Sequence, residues 1–147
     1  MDNAVIQYYR RLLKEDFPYA GEIEQPTVFV EAIGEKLIHC GNTGNYMQLY
    51  LHVADDRVVA IRYLCSCEPA ANVAVEILCG MTQGKSLSEA TALTEEPFYQ
   101  LVGSRVEEFA KKVRGILSLL NEGIAHYRGA DSGEIGSHLT WDRSYNP

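Results

Sequence analysis

The soft donors of this chain are four cysteines and four histidines, and three of the cysteines sit where chemistry could be done. Cys65 and Cys67 close an apolar run and are followed at once by Pro69. Cys40 follows His39 and leads into a turn cluster at residues 41–45. Thiolates and imidazoles are the ligands that soft and borderline metal ions accept. Alternation along a strand puts Cys65 and Cys67 on one face if the strand lasts that far. Cys67 also precedes a helix start, where backbone N–H groups and the helix dipole favour a thiolate, while Glu68 opposes it. A Cys-x-Cys pair is a weaker metal signal than Cys-x-x-Cys pairs at defined spacing. These residues therefore leave three uses open: a metal site, a thiol redox pair at Cys65 and Cys67, or packing. Same-face neighbours on a strand point in parallel, which suits a disulfide poorly. Cys79 lies in a helical apolar context and reads as core filler.

The elements that must position these groups follow from periodicity. Residues 3–14 carry Val5, Ile6, Tyr8, Tyr9, Leu12 and Leu13 as a helical stripe, with Asn3 as the expected cap. Residues 27–33 are β-branched and aromatic enough for a strand, and 35–39 for another. In residues 46–53, Met47, Leu49, Leu51 and Val53 share one face; Ala54-Asp-Asp-Arg57 turns the chain, and 58–65 returns as the partner strand. Pro69 suits a first helical turn, and that helix runs through Val73, Ile77, Leu78 and Met81 to Gly84. Ser86-Leu-Ser-Glu89 and Ser104-Arg-Val-Glu107 both read as capping boxes, the first opening a short helix and the second a long one. Beyond residue 128 periodicity is lost, which predicts a domain over 1–128 and a flexible tail over 129–147. Helix, antiparallel strands, then helices make an α+β domain with helices segregated from the sheet.

Composition narrows the function classes. With 147 residues, 46% apolar and 22% charged, the chain is long enough for one buried core. A net charge of −7 with scattered basic residues argues against nucleic acid, whose binding needs a basic face. No apolar run reaches membrane-spanning length and the N-terminus has no signal-peptide core, so the expected address is the cytoplasm with reduced thiols. Nucleotide and hydrolase signatures are missing: Thr82-Gln-Gly-Lys-Ser86 imitates only the end of a phosphate-binding loop. The carboxylate pairs Asp55-Asp56, Glu95-Glu96 and Glu107-Glu108 fall in turns or first helical turns, where they complement dipoles. His52, His126 and His138 read as surface residues, and Tyr46, Tyr50 and Tyr63 as sheet packing. No enzyme is expected.

Together these stretches resemble the IscU/NifU-type iron–sulfur cluster scaffold family over residues 3–128. Its hairpin looks like Cys-Gly-Asp-x-Met-Lys-Leu-x-Ile-Lys-Val, a turn, and a strand ending in Gly-Cys-Gly-Ser-Ala; a helix then closes in Gly-Lys-Ser-Leu-x-Glu-Ala. This chain reads Thr43-Gly-Asn-Tyr-Met-Gln-Leu-Tyr-Leu-His-Val53, Ile61-Arg-Tyr-Leu-Cys-Ser-Cys67 and Gly84-Lys-Ser-Leu-Ser-Glu-Ala90. The resemblance implies a small antiparallel sheet with helices packed on one side. It also implies a nascent [2Fe–2S] cluster held by three cysteines and an aspartate, and partners that are a cysteine desulfurase and iron–sulfur acceptor proteins. The ligand positions depart from that pattern: Thr43 and Asn45 stand for the first cysteine and the aspartate, the second cysteine falls on Glu68 without a gap or on Cys67 with one, and the third falls near Lys112. Two readings follow. In one, Cys40, Cys65 and Cys67, with His39, form a relocated set for iron, a cluster or zinc. In the other the chain is a degenerate, metal-free interaction or regulatory module, with Lys112 pairing Glu68 where the metal sat.

Overall fold

The computed structural model describes residues 2–33, 46–66 and 69–131. His39, Cys40, Thr43, Asn45, Cys67 and Glu68 lie outside the described residues, as do the strand expected at 35–39, the turn at 41–45, and His138, Trp141 and Tyr145.

The order is α1 (Asn3–Lys14), β1 (Val28–Ile33), β2 (Tyr46–Ala54), β3 (Arg57–Cys65), α2 (Ala70–Thr82), α3 (Leu87–Thr91), α4 (Glu96–Val102) and α5 (Glu107–Asp131). The three strands form one antiparallel sheet in the order β1-β2-β3. The fold is α+β, as expected. Val28, Val30 and Ala32 of β1 join Met47, Leu49, Leu51 and Val53 of β2 on one buried face, and α2 and α5 cover it. α1 in turn packs on α2.

The hairpin turns tightly because Asp55 and Asp56 both take positive φ, 53° and 60°, the requirement of a two-residue turn matched to strand twist. Just beyond it the register shifts between His52 and Val53, whose partners are Ala60 and Val58. Val59 is the extra residue. That bulge lets Val58 and Ile61, three apart, both point inward, while Val59 is exposed.

The open edge of β3 is covered along its length. Val58 exchanges bonds with the backbone at 84–85 (2.7 and 2.8 Å), Gln83 Oε1 accepts from Ile61 N–H at 3.3 Å, and Tyr63 bonds the backbone at Tyr19 and Gly21. An uncovered strand edge is a template for aggregation, so this cover has a physical purpose.

Two expectations at helix ends are corrected, and one short helix is added. Asp2, not Asn3, caps α1: its backbone is extended and its carboxylate accepts from Ala4 and Val5 N–H, the first-turn donors, while Asn3 is already within the helix. The Ser104 box does not close as expected. Ser104 Oγ accepts from Val106 N–H at 3.3 Å, and the Glu107 carboxylate is taken by Arg114 at 2.7 Å. α4 was not foreseen, although Pro97 near its start and Gly103 at φ 80° after its end are a standard pair of boundary signals. The Ser86 box closes as expected: Glu89 N–H donates to Ser86 Oγ and Ser86 N–H to Glu89 Oε1, at 3.0 and 2.8 Å. Ser86→Ala should cost about 0.5–2 kcal/mol, read as a lower urea midpoint with an unchanged slope.

α5 runs to Asp131, three residues past the point where sequence periodicity stops. No described helix is long and apolar enough to cross a membrane.

Candidate functional site

At one end of the sheet, three chain crossings line up. Ile33, the last residue of β1, is the register partner of Tyr46, the first of β2. Tyr46 N–H donates to Ser66 Oγ at 2.8 Å, and Ser66 N–H donates to Tyr46 O at 3.1 Å, so Ser66 prolongs the ladder with its side chain. Met47 pairs with Cys65. Consequently the segments 34–45 and 67–68 both depart from this one row. They carry His39, Cys40 and Cys67.

Of the proposed ligands, Cys65 alone is described. It ends β3 on the core face two residues after Tyr63, and is half-buried against the core. A thiol there is neither sealed in nor fully solvated. β3 ends at Cys65, so strand alternation does not by itself carry on to Cys67. Two residues past Cys67 comes Pro69, the N-cap of α2, with no side-chain cap; Val73 N–H takes Pro69 O. The first-turn N–H groups of this 13-residue helix are donors that favour a negative charge ahead of them. Among the described residues, no three His, Cys, Asp or Glu side chains converge as a metal site.

Lys112, which the resemblance sets near a ligand position, is 8% exposed in the first third of α5. Lysine is rarely buried this far unless something holds its charge. Its expected partner Glu68 is outside the described residues.

The remaining soft groups lie elsewhere. Cys79 is fully buried in α2, and burial pushes its thiol up, which makes it inert filler as expected. His52 is exposed, with Nδ1 3.4 Å from Thr27 Oγ1; it lies six residues along β2 from Tyr46, about 20 Å away at the usual strand rise. His126 is half-buried far along α5 rather than a plain surface residue. Tyr63 and Tyr50 are packed against opposite faces of the sheet. Tyr50 sits 5.0 Å from the Phe29 ring, with its hydroxyl on Gln48 and Glu22.

The buried polar group that sequence reasoning missed is Glu76. It is 4% exposed in the middle of α2, and its Oε2 accepts from Tyr63 O–H and Tyr19 N–H. The signal was present: α2 is apolar all round, so a charge within it has no wet face to occupy.

No protein-family model matches the chain, and comparison with curated proteins gives no match. Solved structures do share its fold. One is a candidate iron–sulfur cluster assembly scaffold protein for the SUF system from the thermophile Fervidobacterium islandicum AW-1. It aligns over 84% of this chain and 96% of its own, with a TM-score of 0.60 and 13% identity. Another, a hypothetical protein, aligns over 81% and 98%, with a TM-score of 0.59 and 15% identity. At such identities the likeness is one of fold, and the fold of this chain is the one that the SUF-system protein has.

Proposed function

We propose that this chain is a member of the IscU/NifU-type scaffold family that handles iron or a nascent [2Fe–2S] cluster as cargo, with Cys40, Cys65 and Cys67 as thiolate ligands and His39 as a further donor. The observation that carries this reading is the shared row of Ile33, Tyr46 and Ser66. From that row depart both segments that bear the other donors, and Cys65 stands beside it half-buried. The fold shared with the SUF-system protein supports the reading. A site that receives and releases a cluster needs ligands that are reachable, and soft sulfur donors suit iron. The chain works without a reaction of its own, in the cytoplasm, with a cysteine desulfurase as sulfur source and iron–sulfur apoproteins as acceptors. Zinc would suit the same donors and is the competing metal in any loading experiment.

The burial of Lys112 favours a second reading. A held ammonium near a family ligand position, paired with Glu68, belongs to a metal-free module that keeps the fold for protein contacts.

Transfer separates the two. Protein loaded anaerobically with iron and sulfide should hand its cluster to an apo-ferredoxin of the [2Fe–2S] class, with the acceptor's spectrum growing as the donor's fades. Failure of loaded protein to transfer contradicts the scaffold role, and failure to load at all favours the metal-free module.

A further inference from the structure

Glu76 is the one charged residue of α2, and nothing in the proposed cargo site uses it. Among the described residues, no cation lies within ion-pair distance of it. Both of its donors act on one oxygen: Tyr19 N–H at 3.2 Å and Tyr63 O–H at 3.0 Å. The Asn72 side chain moderates the rise that burial and Glu76 give the Tyr63 phenol. Asn72 lies one helical turn before Glu76, on the same face of α2, is 8% exposed, and its Oδ1 has no partner. A buried acceptor without a donor is costly, and so is a buried carboxylate without a cation. One proton on Glu76 would relieve both.

The element that covers this cluster is the strap at residues 17–21. Asp16 and Phe17 enter it with φ 59° and 45°, a left-handed backbone that needs outside contacts to persist. On the α1 side, the Phe17 ring lies 5.6 Å from the Tyr9 ring and Phe17 N–H donates to Leu12 O at 3.0 Å. On the β3 side, the contacts are Tyr63 N–H to Tyr19 O at 3.2 Å, Gly21 N–H to Tyr63 O at 2.8 Å, the Tyr19 bond to Glu76, and the Arg62 guanidinium 5.4 Å from the Tyr19 ring centroid.

We propose that Glu76 is a proton-operated latch: protonated, it donates to Asn72 Oδ1 while accepting from Tyr19 and Tyr63, fastening the strap to the edge of β3. Ionised, it lets the strap lift, and the proton passes to bulk water. The titratable and charged groups that face it are Glu15 after α1, Tyr19 in the strap, Arg62 and Tyr63 in β3, and Cys79 in α2. Burial disfavours the carboxylate most, and Glu15 adds to that. The two donors and Arg62 act the other way without overcoming it, so the Glu76 carboxyl lies above its ordinary range. Arg62 is partly committed elsewhere, to Gln83 Oε1 and its own strand's Ile61 O. A carboxyl that binds its proton more tightly when covered favours the covered state at low pH. Docking is strongest below the ordinary carboxylate range, weakens by up to ~10-fold per pH unit between the ordinary and raised values, and levels off above. The edge so uncovered ends two residues before Cys65, but the latch does not depend on any cargo.

Amide hydrogen exchange tests this, with Val58 N–H, bonded to Lys85 O at the far end of the same edge, as the internal control. Protection at Gly21 and Tyr63 should fall by up to ~10-fold per pH unit through the window, with Val58 unchanged. Glu76→Gln, whose amide reproduces the donor and acceptor of the protonated acid, should be flat with pH and better protected than wild type at neutral pH. Protection independent of pH in the wild type, or a Glu76→Gln protein less protected than wild type, overturns the latch. Should the variant not fold, the carboxyl-carbon NMR shift of Glu76 in the wild type decides: titration above the ordinary range supports the latch, and titration within it overturns it.

Discussion

Phe109→Ala lowers stability by about 3–5 kcal/mol, which at this chain length moves the thermal midpoint by on the order of 10 °C. Phe109 is fully buried near the start of α5, and its ring meets the Tyr99 ring edge-on at 6.1 Å. α4 has seven residues, too few to hold itself helical, so its order depends on what it packs against. Its anchors are Phe98, Tyr99 and Val102, all buried. Tyr99 adds a tether: its hydroxyl donates to Glu95 Oε1 at 2.5 Å, and burial together with that carboxylate pushes the phenol up to about 12. Emptying the space beneath the Tyr99 ring removes the apolar contact and leaves this tether to hold alone. Calorimetry should show the lower midpoint, and exchange should show α4 amides losing protection before β2. A loss under 1 kcal/mol would mean that α4 is not docked through this ring.

Gly123 gives the second large effect, through overpacking. A Cβ there would lie 2.8 Å from Val30 Cγ1 and 3.2 Å from Val28 Cγ1, both on β1 beneath α5. Valine on a strand has restricted χ1 freedom, and neither methyl can turn away cheaply. Gly123→Ala gains about 1 kcal/mol of helix propensity but meets an overpacking cost of about 1–3 kcal/mol. Gly123→Val adds two further methyls and should destabilise by about 3 kcal/mol or more. The Gly123→Ala, Val30→Ala double variant should recover part of the clash, as a coupling of about 0.5–3 kcal/mol in a denaturation cycle. Additive losses would show that α5 can shift off the sheet instead.

Much of this architecture was legible because local rules and burial agree in it. The alternation at Met47, Leu49, Leu51 and Val53 and the two-residue Asp55-Asp56 turn define the hairpin, and both appear as read. The Ser86 box needed only two side chains three residues apart. What failed depended on competition. The Glu107 carboxylate had Arg114, two turns along the same helix face, as a stronger partner than a cap N–H, so the second box did not close. Asp2 lay one residue outside the apolar stripe that drew attention to Asn3. The bulge at Val59 carries no composition signal, because valine is ordinary in a strand and the extra residue shows only in the pairing.

The candidate site was legible to a smaller degree. Cys65 falls at the strand end where the reading put it, and Cys79 in the core. That Ile33, Tyr46 and Ser66 share one row at the end of the sheet is a long-range relation that spacing along the chain does not encode. Glu76 escaped because its partners, Tyr19 and Tyr63, are 57 and 13 residues away.

The most direct test of the account is anaerobic reconstitution of the reduced protein with iron and sulfide, read by visible absorption and metal analysis beside Cys40→Ala and Cys67→Ala. A scaffold site should give sulfur-to-iron charge-transfer bands at roughly one [2Fe–2S] cluster per chain, lost in both variants while circular dichroism stays unchanged. A folded wild-type protein that remains colourless and free of iron would contradict it, and would leave the metal-free module as the function of this fold.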